Sequence, residues 1–141
     1  MKKKLIAFTI NTLEQAENII FKSKDYKIIP ILHFKKYFLI GFGFDFILTF
    51  QNMLISKFGK SSFKLYVDCG FDQSLAIAMA TKRIDYLKLK ANSNVLLKIE
   101  NNNKKNRVLL NPSFNIVDCR NRKNINLKLK KLYSKGKINE K

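Results

Sequence analysis

Four short apolar runs, each closing on a polar residue and followed by a stretch of helical spacing, constrain this chain most. Residues 5–10 end at Asn11, residues 28–32 at His33, residues 63–67 at Asp68-Cys69-Gly70, and residues 84–89 close the set. Strands that are apolar on both faces belong to parallel sheets covered by helices. Such sheets carry their ligand sites at the carboxyl ends of the strands. The pattern therefore says where a site would lie before it says what the site does.

The segments between the runs read as helices. Thr12 is a natural N-cap, and Gln15 completes a capping box. Leu13, Ala16, Ile19 and Ile20 then recur at helical spacing, with Glu14 and Glu17 where the helix dipole favours them. Pro30 cannot donate to a ladder, so the second strand should be exposed there or start late. Gly41-Phe42-Gly43 reads as a flexible connection into a long helix, whose broad apolar face is Phe44, Ile47, Leu48, Leu54, Ile55 and Phe58 and which Gly59 ends.

Asp72 is placed to cap a helix through Leu75, Ala78 and Met79, and Ser93 one through Leu96, Leu97 and Ile99. Lys88 and Lys90 alternate, so one face of the fourth strand should be wet. Residues 101–105 read as a polar turn and 107–110 as a short fifth strand that Asn111-Pro112 breaks. Ile125, Leu129, Leu132 and Tyr133 suit a helix; Ile125, Leu127 and Leu129 also alternate like a strand, and the helix is the reading adopted.

Five strand–helix alternations imply right-handed crossovers and a parallel sheet. The expected fold class is α/β, a parallel sheet of about five strands with covering helices, either flavodoxin-like or half of a TIM-type barrel. A complete barrel takes about 250 residues, more than the 141 here. Residues 1–120 form the expected single α/β domain, and 121–141 a basic helix with a frayed tail from Lys135.

The net charge is +18, from 24 lysines and four arginines against ten acidic residues. Arginine is the usual residue for two-point contacts with phosphate and guanine, so the lysine excess argues weakly for nucleic acid. Lysine, asparagine, isoleucine and phenylalanine all have AT-rich codons, so codon bias is an alternative source of the lysine. Residues 1–81 carry 11 basic and six acidic side chains, a net of +5, whereas 82–141 carry 17 and four, a net of +13. A basic second half can still attract polyanions without sequence preference.

The apolar run after Met1 is six residues long and lacks a small-residue cleavage site, unlike a secretory leader. Residues 37–50 are too short to span a bilayer and carry Asp45. The expectation is a cytoplasmic protein with no membrane partner. Cys69 and Cys119 show no metal spacing and no disulfide framework, so reduced thiols are expected.

Asn11-Thr12-Leu13-Glu14-Gln15-Ala16, Ile29-Pro30-Ile31-Leu32, Gly41-Phe42-Gly43-Phe44 and Val67-Asp68-Cys69-Gly70 together resemble the start of the class II, metal-dependent fructose- and tagatose-bisphosphate aldolases. The third strand of that family ends in His-x-Asp-His-Gly, its Asp the proton donor and the following His a zinc ligand. The resemblance places Asp68 on the proton donor and Gly70 on the glycine, with Cys69 in place of the zinc histidine and Tyr66 in place of the leading one. Zinc is the cofactor it implies. The ligand set is incomplete, because a catalytic zinc takes three protein ligands and the family's other ligands lie in the second half of its barrel.

Asp68 is the first candidate for general acid–base work, set against a role in hydrogen-bonding loop amides or capping. Cys69 is a nucleophile or ligand-binding candidate against a small buried hydrophobe. His33 faces the crevice of Asp68 or packs against Phe34 and Tyr37, and Asn11 binds a ligand or shapes its turn. Three functions follow. The first is an aldolase-like half-barrel without full aldolase activity, binding a small phosphorylated or carbonyl ligand or assembling with itself. The second is a reduced enzyme using Asp68 on such a substrate. The third is a basic polyanion or RNA binder.

Overall fold

The computed structural model describes residues 6–121 and 125–139, with side chains as far as Ser134. Six strands, β1 (Ile6–Thr9), β2 (Ile31–Phe34), β3 (Lys64–Asp68), β4 (Tyr86–Lys88), β5 (Leu109–Leu110) and β6 (Asn115–Asp118), form one all-parallel sheet in the order β5-β4-β3-β2-β1-β6. Helices α1 (Leu13–Asp25), α2 (Lys36–Phe42), α3 (Phe44–Phe58), α4 (Gln73–Thr81), α5 (Ser93–Asn103) and α6 (Ile125–Asn139) connect and cover it. The α/β class and the parallel sheet are those the apolar runs dictate.

Local chemistry sets most boundaries. Thr12 accepts from the Gln15 amide, and the Gln15 side chain takes the Asn11 and Thr12 amides, so the capping box is complete. Asp72 caps α4 by accepting from Leu75 N. β2 starts just after Pro30, as a residue without an N–H requires. Asn92 rather than Ser93 caps α5, because its side chain reaches the Val95 amide and Ser93 is already helical.

Three segments differ from the sequence reading. The Gly41-Phe42-Gly43 connection is the end of α2, whose Phe38 and Leu39 are buried, and Gly43 at φ 84° breaks it from α3. The polar turn at 101–105 is instead the continuation of α5 to Asn103 and a following 3-10 turn at Lys104–Asn106, with Asn103 buried. β6, short and polar at both ends after Pro112, adds a sixth strand beside β1. The backbone is helical to Asn139; residues 1–5, 122–124, 140 and 141, with the leader reading and part of the tail reading, lie outside the described residues.

All the helices lie on one face. Phe8, Ile10, Leu32, Phe34, Leu65, Val67, Leu87 and Leu89 join buried residues of α1 to α6 in one core. The opposite face holds a smaller cluster of Ala7, Ile31 and Tyr66, packed by Tyr86 and Phe114. Successive crossovers from β1 to β5 step in one direction, the winding of a barrel rather than of a sheet with helices on both faces. Ile125, Leu129 and Tyr133 of α6 pack into the same core, and Tyr133 Oη pairs with Ser23 Oγ at 2.7 Å.

The sheet must also curl. Leu110 ends one edge strand and Asn115 begins the other, and the chain between them reaches about 18 Å at most. In a flat sheet five strand spacings would part those edges by about 24 Å. The link therefore crosses the trough, and its Phe114 ring packs edge-on against Tyr66 (5.6 Å) and Tyr86 (4.8 Å).

Phe38 anchors the α2–α3 corner, with Phe34, Phe42 and Phe46 ring centroids 4.9, 5.1 and 5.5 Å away. Phe38→Ala should cost about 3–5 kcal/mol in urea denaturation. Phe42→Ala, removing a ring 60% exposed, should cost under about 1 kcal/mol.

Candidate functional site

Parallel register lines up Thr9, His33, Tyr66 and Tyr86 across β1 to β4, with Asp118 of β6 beside Thr9. These side chains share the trough face, because alternate residues point to alternate faces. Two residues further along each chain come Asn11, Lys35, Asp68, Lys88 and Arg120, at the carboxyl rim. The rim is polar while the floor below it, Ala7 and Ile31, is apolar.

His33 is the centre of the group. It is 3% exposed, its Nδ1 lies 2.8 Å from Thr9 Oγ1, and its ring tilts over Tyr66 at 4.7 Å between centroids. Its Nε2 is buried without a hydrogen-bond partner. Burial is the main cause that pushes its pKa down to about 4; Asp68 opposes this, and Lys35, Lys88 and Arg120 add to it. The imidazole is therefore neutral at neutral pH, able to use Nε2 as donor or acceptor according to tautomer.

Asp68 is half-buried, aligned with Lys88 across β3 and β4, and its Oδ1 accepts from the Gly70 amide at 2.9 Å. Gly70 sits at φ 60°, and a Cβ there would come within 2.7 Å of the Lys36 side chain lying across it. Tyr66, beneath Asp68, has its phenol pKa raised by burial and by that carboxylate. Helix α4 takes its cap from Asp72, which leaves Asp68 the loop amide as its partner.

Asn11 belongs to a neighbouring network. Tyr37 Oη donates to Asn11 Oδ1 and accepts from Arg120 Nη1 at 3.2 Å. Arg120 in turn grips Asp118 through Nε at 2.9 Å and Nη2 at 2.6 Å, which holds the carboxyl well below the usual range. Asn11, His33 and Asp68 thus stand on one rim, with Asn11 joined to Arg120, and His33 feeling the fields of Arg120 and Asp68.

Cys69 points the other way. It is 1% exposed in the helix-side core, and burial pushes its thiol up to about 12, with Asp68 and Asp72 adding to the rise. Cys69 forms no disulfide among the described residues, and Cys119 is buried as well. Among the described residues no three His, Cys, Asp or Glu side chains come together as a metal site. The zinc of the aldolase resemblance does not fit this rim, since Cys69 leaves the trough and His33 is the only imidazole of the chain.

Lys88, Tyr37, Arg120 and Asp118 escape sequence reasoning. The last two depend on β6, whose four residues carry too little periodicity to announce a strand. A surface groove between α1 and α3, lined by Leu13, Glu17, Met53 and Lys57, lies in the helical layer away from these groups. Among the described residues no single helix is long and apolar enough to cross a membrane; α2 and α3 together would be, but they meet at 103°.

No protein-family profile matches this sequence, and no curated protein matches it. Among solved structures the chain is similar to a "putative fructose-1,6-biphosphate aldolase" from Coccidioides immitis, with a TM-score of 0.60 and 10% identity over 76% of this chain. The match covers 40% of that chain, so the present one spans about two fifths of its length. At such identity the likeness is one of fold. The chain has a distant aldolase-like fold.

The buried imidazole gives a pH signature. The unfolded chain binds a proton at His33 below pH 6.5, whereas the folded chain does so only near pH 4. Stability from the neutral ring is therefore complete above pH 6.5 and lost as pH falls toward 4, by about 3 kcal/mol. In urea titrations at stepped pH, His33→Gln should flatten that part of the slope relative to the native chain.

Proposed function

We propose that the trough is a binding site for a small phosphorylated or carbonyl-bearing ligand, held at the carboxyl rim of an aldolase-like half-barrel without full aldolase chemistry. The observation that carries this is the orphaned Nε2 of a neutral His33 among Asp68, Lys88, Lys35 and Arg120. A buried polar atom without a partner is costly, and a ligand oxygen would satisfy it. Lys88 supplies positive charge for an anionic oxygen, and Asp68, one strand away, is the group able to move a proton.

Isothermal titration with dihydroxyacetone phosphate tests it. The native chain should bind, Lys88→Gln should weaken binding by about tenfold, the loss of one charge-assisted contact, and His33→Phe should remove it while the fold persists by circular dichroism. Binding unaffected by both changes would place the ligand elsewhere.

Self-association is a second reading, favoured by the half-exposed Leu109 and Ile116 on the two edge strands. Edge strands paired on one side offer a second copy an open ladder. Light scattering should then show a dimer that Ile116→Lys converts to monomer; a monomeric native chain at working concentration excludes it.

A further inference from the structure

Opposite the candidate site, the amino ends of the strands carry a repeated backbone device. Helices α1, α4 and α5 all close with the same pair of bonds. Ile28 N reaches Ser23 O, Ile84 N reaches Met79 O and Val108 N reaches Asn103 O, at 3.1, 3.2 and 3.2 Å. One residue earlier, Lys27 N reaches Lys24 O, Arg83 N reaches Ala80 O and Arg107 N reaches Lys104 O. This is the Schellman closure, whose pivotal residue takes a left-handed conformation that glycine adopts most readily. Here the pivots are Lys27, Arg83 and Arg107, at φ 54°, 60° and 58°.

A lysine-rich composition would scatter lysine over ordinary surface positions. It does not explain three basic side chains, two of them drawn from the four arginines, at the one loop position that disfavours side chains. All three are exposed, and each loop brings a further exposed lysine: Lys24, Lys82 and Lys105. Because each of these helices returns to begin the next strand, the three loops stand at the amino ends of β2, β4 and β5. The β3 loop between them is basic too, with Lys60 and Lys64 exposed. Neighbouring strands are about 4.8 Å apart, so the cations form a row along one end of the sheet.

We infer that this row is a binding track for a single-stranded nucleic acid, held by its phosphates without regard to sequence. A line of cations suits a linear polyanion, because each contact releases a counterion and the contacts add along the strand. Ile29 and Leu109 are half-exposed among these cations; a nucleic acid is favoured over a bilayer because the charges fall in line, strand by strand, whereas a membrane surface is met by a broad amphipathic face. The inference is independent of the ligand site in the trough and uses none of its residues.

The left-handed pivots make a clean test, because glycine removes the side chains where the backbone welcomes glycine. The probe is a fluorescein-labelled 20-nucleotide oligouridylate, followed by anisotropy across a salt series with the full chain. The native chain should bind with a steep salt slope. Lys27→Gly/Arg83→Gly/Arg107→Gly should keep or raise its thermal midpoint, bind more than about tenfold more weakly at low salt, and lose about 2 from the slope. Should that variant unfold, Lys24→Gln/Lys82→Gln/Lys105→Gln reads out the same row. An unchanged slope in these variants overturns the inference. So does an equal loss in a Lys98→Gln/Lys130→Gln/Lys131→Gln control, or binding to phosphatidylglycerol vesicles without any to the oligouridylate.

Discussion

The link from Leu110 to Asn115 is the constraint on which the rest of the architecture depends. It has to join opposite edges of a six-stranded parallel sheet with four intervening residues, and that is feasible only when the sheet curls. Curling gives the sheet an outer face broad enough for six helices and an inner face too narrow for any. The inner face is covered only in part, by the link itself, through Phe114 against Tyr66 and Tyr86, while Leu109 and Ile116 on the edge strands stay half-exposed.

That arrangement separates two chemistries. Parallel strands send every side chain of one register row to the same depth, so Thr9, His33 and Tyr66 meet in the trough and Asp68 and Lys88 meet one layer above. Helices that run back against the strands place their acidic and capping residues, Glu14, Asp45 and Asp72, near the rim, and the basic ends, such as Lys22, Lys24 and Lys57, at the other pole. Each charge sits where its helix dipole favours it.

Elements with strong periodicity or a capping signature were legible in the residues: β1 to β4, the Thr12 capping box, the Asp72 cap and the stop of α3 at Gly59. What escaped has a common physical cause. β6 has four residues, and its pairing with β1 comes from tertiary contact rather than from pattern. Helix α2 lay hidden behind Gly41 and Gly43, and the burial of Phe38 and Leu39 outweighs the cost of Gly41 in the helix. Asn92 and Ser93 are both good caps, and only the geometry of the Val95 amide decides between them. For the site, strand ends pointed to Asn11, His33 and Asp68, and adjacency in sequence grouped Cys69 with Asp68, whereas the thiol lies in the helix-side core. Successive residues of a strand face opposite ways, so the carboxylate joins the rim and the thiol the core.

The amino-acid sequence by itself determined that this chain builds parallel strands covered by helices, since apolar runs and capping residues act over a few neighbouring positions. Only the tertiary structure decided that the sheet curls, that Arg120 meets Tyr37 and through it Asn11, that His33 is left neutral with a bare Nε2, and that basic residues from three loops stand in one row. Those outcomes join residues tens of positions apart, and their energies arise from burial and charge proximity that exist only once the strands have paired.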